Sequence, residues 1–323
     1  MKSTVDSVPT TKKYVLSKKI SDEEIEKRIG TFATKKDYTF VIRENADVYN
    51  EEGELLMRFR KNVLPQKHVD DAFENLRPII FSKTSTRGTC SGAEYKKKTP
   101  GTNARIMSNI IGYYDKWSIF QKHIMKKTGE NPPSEVKPTS FMMNHPEKWE
   151  HIHPLIKNID RQYKCLVPKC YREQYQEANK TAFRIKDTAF TTVTTNVNFQ
   201  TAIHRDAGDF KKGFGNLVVI EKGGKYTGGL TVFPQYKVAV DVRTGDFLAM
   251  NVHQPHGNTP IVPSRSQKEP SIRLSLVSYL REDVIHKSAG SKVEDVEAVI
   301  TKWKDIMYRY NKIMDTKKSQ TQA

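Results

Sequence analysis

The sequence predicts an α+β fold: a jelly-roll core (a double-stranded β-helix), a helical N-terminal part packed on its outside, and a C-terminal helix. Three observations predict it. Apolar residues before about residue 180 fall mostly at helical spacing. From residue 183 the period changes to two, with glycine pairs punctuating short strands. A single amphipathic stretch, 291–314, closes the chain.

Residues 1–20 are polar and basic and read as a tail. Residues 21–182 read as a helical and hairpin N-terminal part. Ser21-Asp22-Glu23-Glu24 is a helix start, with a hydroxyl cap and acids in the first turn. Tyr38–Ile42 and Leu55–Phe59 are strand-like, and Tyr49–Gly53 between them reads as a hairpin loop. Pro65 opens a helix with Val69, Ala72, Phe73 and Leu76 on one face. Residues 82–105, including Arg87-Gly88 and Lys96-Lys97-Lys98, read as a basic loop. Residues 108–127 and 146–180 read as two helices joined through Pro132, Pro133 and Pro138.

Residues 183–285 form the expected jelly-roll catalytic core. Val193, Thr195, Val197 and Phe199 alternate along one strand; Leu217–Ile220, Val238–Val242 and Phe247–Met250 supply others. Gly223-Gly224 and Gly228-Gly229 mark turns. In the last strand Ile272, Leu274 and Leu276 share one face, which puts Arg273, Ser275 and Val277 on the other. Residues 286–323 hold the C-terminal helix and tail, with Val293, Val296, Ile300, Trp303 and Met307 near one stripe.

Lys plus Arg number 54 against 37 Asp plus Glu, a net charge of +17, which points to a polyanion such as nucleic acid. Cys90, Cys165 and Cys170 are too few and too poorly paired for a disulfide scaffold or a zinc knuckle. No apolar run is long enough for a membrane span and no signal core is present, so an intracellular protein, nuclear or cytoplasmic, is expected.

The chemistry concentrates in His204, Asp206 and His256. Side chains two apart on extended backbone point the same way, so His204 and Asp206 can reach one metal, and a hairpin-rich barrel can return His256 beside them. Two imidazoles and one carboxylate are the facial set that holds Fe(II) with open positions for a co-substrate and dioxygen. Arg273, facing away from the leucine stripe, places a guanidinium where it can pair with a dicarboxylic co-substrate.

This order of residues resembles the Fe(II)/2-oxoglutarate oxygenase superfamily: His-x-Asp, a distal histidine, then an arginine one strand later. Within it the chain is most similar to the TET/JBP group of nucleic-acid base oxygenases. That resemblance rests on Asn62-Val63-Leu64-Pro65, the Arg87-Gly88 loop, Thr195-Asn196-Val197-Asn198, and the Gly228-Gly229-Leu230 turn, over roughly residues 60–283. The cysteine-rich segment of animal TET proteins is lacking, as is a large added domain of the JBP type. The resemblance implies that His204, Asp206 and His256 bind iron, that Arg273 binds the far carboxylate of 2-oxoglutarate, and that dioxygen is consumed. It further implies hydroxylation of the methyl group of a pyrimidine in DNA, 5-methylcytosine or thymine, flipped out of the duplex by a monomer. A prolyl or lysyl side-chain hydroxylase is the alternative.

Several residues compete for roles. His253 rivals His256, but the spacing from Gly245 and the small Gly257 favour His256. Asp209 rivals Asp206 and fits a bulged loop better. Arg281 rivals Arg273, though Glu282-Asp283 beside it suggests a surface ion pair. Asn198 has two readings, facing the co-substrate or base, or structural hydrogen bonding. His151 and His153 have no third ligand nearby, and Lys96–Lys98 read as a solvated charge run.

Overall fold

The structure, a computed structural model, describes residues 10–82, 88–92, 106–265 and 268–321. In chain order the elements are β1 (Lys12–Leu16), α1 (Asp22–Lys27), β2 (Phe40–Ile42), β3 (Ala46–Asn50), β4 (Leu55–Arg60), α2 (Gln66–Ile80), β5 (Met107–Tyr114), α3 (Ile119–Thr128), β6 (Lys137–Pro138), α4 (Ser140–Asn144), α5 (Pro146–Leu166) and α6 (Pro168–Ala178). The second half holds β7 (Thr192–Val197), β8 (Gly215–Gly223), β9 (Tyr226–Gly228), β10 (Thr231–Phe233), β11 (Val238–Val240), β12 (Phe247–Met250), β13 (Gly257–Asn258), β14 (Ile261–Pro263), β15 (Ser271–Tyr279), α7 (Glu282–Ser288) and α8 (Val293–Thr321).

Period-two alternation builds two layers of core on the large sheet, whose order is β1-β3-β4-β12-β8-β15-β7-β5-β6. On its outer face Val218 and Ile220 of β8, Phe247 and Ala249 of β12, and Leu274 and Leu276 of β15 pack under α2 and α5. On its inner face Leu217, Val219, Leu248 and Met250 meet Phe233, Val238 and Val240 of the small sheet, order β13-β10-β11-β2. Each fully buried side chain of this size contributes about 1.5–3 kcal/mol, so the sandwich fixes strand register firmly. This is the α+β jelly-roll architecture with helices outside.

The helix over 108–127 is not what forms. Met107–Tyr114 is a strand paired antiparallel with β7, and only Ile119–Thr128 is helical. Ile110 and Ile111 fit a helical spacing as well as a strand, and the partner that decides lies about 85 residues on in sequence, beyond any local signal. The helix over 146–180 is two helices, broken where Pro168 has no N–H to donate. Residues of the expected tail form β1, parallel to β3. The hairpin joins β3 to β4, so Tyr49 and Asn50 are strand, and β2 crosses to the small sheet beside β11. Arg87 and Lys96–Lys98 lie outside the described residues. No helix among the described residues is long and apolar enough to cross a membrane.

Candidate active site and metal centre

His204 and Asp206 lie on the segment leaving β7, and His256 immediately precedes β13. Two backbone bonds clamp them: His204 N donates to His256 O at 2.8 Å and His256 N to His204 O at 2.9 Å. Asp206 N donates to Val252 O at 3.1 Å. An added Cβ on Gly257 would sit 3.2 Å from the backbone of Ala202 and Ile203, so the small residue permits this approach.

The imidazoles are oriented by their inner nitrogens. His204 Nδ1 lies 2.7 Å from Ala202 O, and His256 Nδ1 lies 2.9 Å from Gln254 O. A carbonyl only accepts, so each Nδ1 carries a proton, which leaves Nε2 as the ring atom that can bind a metal. His204 Nε2 is 3.1 Å from Asp206 Oδ1, and His256 Nε2 is 3.8 Å from Oδ2. One donor atom from each residue lies within 4.8 Å of the others. Burial, reinforced by the neighbouring His204, pulls His256 down to about 4, so it is neutral at pH 7. Burial opposes charge on His204 too, but Cys90 and Asp206 beside it raise its pKa. Two neutral-capable imidazoles and a carboxylate packed this closely fit a divalent ion better than they fit one another.

Arg273 lies on the same cavity, 4% exposed. Its Nε has no hydrogen-bond partner, and among the described residues no carboxylate lies within ion-pair distance of it. The cross-strand neighbour Glu221 is engaged elsewhere, accepting from Arg243 Nη1 at 3.1 Å and Thr244 N at 3.0 Å. Burial therefore holds the guanidinium below its usual pKa despite Tyr226 and Glu221 nearby. A desolvated cation without a counterion is costly unless a ligand supplies one. Gly229 makes room for it: a Cβ there would meet Arg273 Nε at 2.8 Å and Cδ at 2.9 Å, at φ +68°.

Asn198 is not brought into the cavity. At φ 48° its Oδ1 accepts from Arg273 N at 2.8 Å and its Nδ2 donates to Ser271 O at 2.8 Å, so it pins the end of β7 to β15. Of its two readings the geometry carries structural hydrogen bonding, and the assignment as a cofactor contact is corrected accordingly. Asn196, two residues earlier, faces the cavity instead.

The rivals separate by position. His253 points its Nε2 at Phe210 O, 3.3 Å away, outside the three-residue cluster. Asp209 lines the cavity without joining the cluster; burial, then the Asp206 charge, push its carboxyl well above the usual range. Arg281 is not a surface residue. It lines the cavity, pairs with the fully buried Asp115 and stacks 4.7 Å from the Tyr114 ring. The expected local pair forms in part, with Arg281 Nη2 3.8 Å from Asp283 Oδ2, while Asp115 was too distant in sequence to have suggested the buried one. The cavity encloses about 540 Å3, running from Arg273 past the histidines to Tyr114, Lys116 and Arg281.

Comparison with known proteins assigns the domain. Residues 123–282 match Tet_JBP, the oxygenase domain of the 2OGFeDO superfamily. This stretch, just under half of the chain, is similar to that oxygenase domain. The matched Tet_JBP stretch contains His204, Asp206, His256 and Arg273. The chain is 28% identical over 240 residues to thymine dioxygenase JBP1 of Crithidia fasciculata, covering 74% of this chain and 26% of that protein. It is 31% identical over 174 residues to the bifunctional helicase and thymine dioxygenase JBP2 of Leishmania major, covering 54% of this chain and 14% of that protein. It thus spans about a quarter or less of these relatives' lengths. Its fold is similar to NgTET1 in complex with 5mC DNA, at TM-score 0.55 and 14% identity, covering 87% of this chain and 85% of that one.

Proposed function

We propose that this protein is an Fe(II)- and 2-oxoglutarate-dependent dioxygenase that hydroxylates the methyl group of a pyrimidine base in DNA. The carrying observation is one cavity holding a His-Asp-His donor cluster and an arginine with no acid partner among the described residues. His204, Asp206 and His256 would hold the iron, and Arg273 the far carboxylate of 2-oxoglutarate, as a charge-assisted bidentate pair. Iron with 2-oxoglutarate and dioxygen supplies the oxidising power for C–H hydroxylation when bound.

The chain's own residues do the rest. Ala202 O and Gln254 O hold the imidazole tautomers, and the mutual backbone bonds of His204 and His256 fix their spacing. Asn198 fixes the backbone of Arg273. With both histidines buried, a base stacked in a duplex cannot reach them, so the substrate nucleotide is extruded into the cavity. The net charge of +17 supports a DNA partner, and the thymine dioxygenases among the relatives support a pyrimidine methyl as the target. A DNA substrate supports an intracellular location, nuclear or cytoplasmic.

Incubation with Fe(II), 2-oxoglutarate and DNA carrying thymine or 5-methylcytosine, followed by nucleoside mass spectrometry, tests this. The expected product is the hydroxymethyl pyrimidine. Succinate formation driven by a proline- or lysine-containing peptide, with no oxidised nucleoside from DNA, would replace the reading with a side-chain hydroxylase.

A further inference from the structure

Three and four residues past Lys116 of the cavity wall the chain places an apolar pair where water should discourage it. Ile119 is 90% exposed and Phe120 63% exposed, adjacent at the start of α3. Single exposed apolar side chains are ordinary. This pair is held rigidly and sits in a basic field. Ser118 Oγ accepts from Gln121 N at 3.2 Å, and Gln121 Oε1 accepts from Ser118 N at 3.0 Å, a reciprocal cap. Behind it Trp117 is buried against Trp303, ring centroids 5.2 Å apart, and donates to Ser134 O at 2.7 Å. Lys116, Lys122, Lys126 and Lys127 are all exposed, residues 116–129 contain no acid, and none of the four lysines is ion-paired among the described residues.

The position ties this surface to the site. Tyr114 and Lys116 line the cavity wall. Ile119 follows Lys116 by three residues, so its Cα lies within about 11 Å of that wall at full extension. The pair also precedes the matched stretch, which begins at residue 123.

We propose that Ile119 and Phe120 form a wedge that enters duplex DNA at the gap left by the extruded base, while the four lysines grip flanking phosphates. This rests on the reading that the cavity accepts a base from DNA. Apolar side chains pushed between base steps unstack them and stabilise a distorted duplex, and an ammonium cluster without acids is complementary to the backbone on either side.

The test uses the full chain with one target sequence in duplex and in single-stranded form, and a 2-aminopurine beside the target as a reporter of unstacking. Val15→Ala, on exposed β1, serves as the control. Ile119→Ala/Phe120→Ala is expected to lower the duplex-to-single-strand oxidation ratio about tenfold or more, since only the duplex must be opened. The 2-aminopurine rise on duplex binding should shrink with it, and Val15→Ala should change neither. An unchanged ratio and an unchanged fluorescence rise overturn the wedge. Equal loss on both substrates overturns it too, since the helix start would then serve the fold or the chemistry. Should the wild-type chain oxidise neither substrate, the base-oxidation reading fails separately; the wedge is then judged on fluorescence alone.

Discussion

Replacing Arg273 with methionine should have two opposite effects. The side chain is 4% exposed, and among the described residues its Nε is unpartnered and no carboxylate pairs with it. A buried polar group left unsatisfied costs about 1–3 kcal/mol, and methionine fills a similar length with apolar, adaptable atoms. The ligand-free Arg273→Met protein should therefore be more stable than wild type by about that amount, raising Tm by roughly 1.5–4.5 °C for a chain of this size. Co-substrate binding should move the other way. Losing one partner of a buried charge pair costs about 2–5 kcal/mol, or roughly 30- to several-thousand-fold in affinity. Thermal melts with and without 2-oxoglutarate, in the presence of a redox-inert divalent ion, read both effects. Wild type should gain Tm with 2-oxoglutarate and Arg273→Met should not. A variant that melts lower without ligand, yet keeps the 2-oxoglutarate shift, would refute the claim that this guanidinium is held unpaired for a diacid.

Two further outcomes follow from the packing. Gly229→Ala puts a Cβ 2.8 Å from Arg273 Nε at φ +68°, so 2-oxoglutarate KM should rise at least about tenfold with a modest Tm loss, read by steady-state kinetics; an unchanged KM would show that Arg273 need not pass there. Asp160 accepts from Ala189 N and Tyr171 OH, yet burial lifts its carboxyl to about 6. Because the folded pKa lies above the unfolded value near 3.8, Asp160 favours the fold below that value. The contribution disappears as pH rises toward 6, at a cost of up to about 3 kcal/mol. Asp160→Asn keeps an acceptor for Ala189 and should be the more stable protein at pH 7.5, with the gap closing by pH 4 in denaturant titrations; a constant gap across that range would contradict the assignment.

The part of this molecule legible in its sequence is the part governed by short-range periodicity. Leu274 and Leu276 against Arg273 and Ser275 told which face of β15 is dry, and the core and cavity divide along that line. His204 and Asp206 sit two apart in sequence, and their donor atoms lie near one another. What was not legible depends on partners distant in sequence. Met107–Tyr114 becomes strand because β7 is beside it, and Arg281 turns inward because Asp115 is there to receive it. Residue type left Asn198 with two readings, and its left-handed backbone directs the amide at its neighbour strand. Glu221 faces Arg273 across the sheet and still leaves it unpaired, which only the position of Arg243 and Thr244 explains.

The central claim, that His204, Asp206 and His256 share one ion, is tested most directly by titrating the metal-free protein with Co(II) and following the visible d–d absorption. The account predicts saturation at one cobalt per chain, loss of that absorption in His204→Ala, Asp206→Ala and His256→Ala, and its retention in His253→Ala. Saturation that survives His256→Ala, or that is lost in His253→Ala, would contradict it.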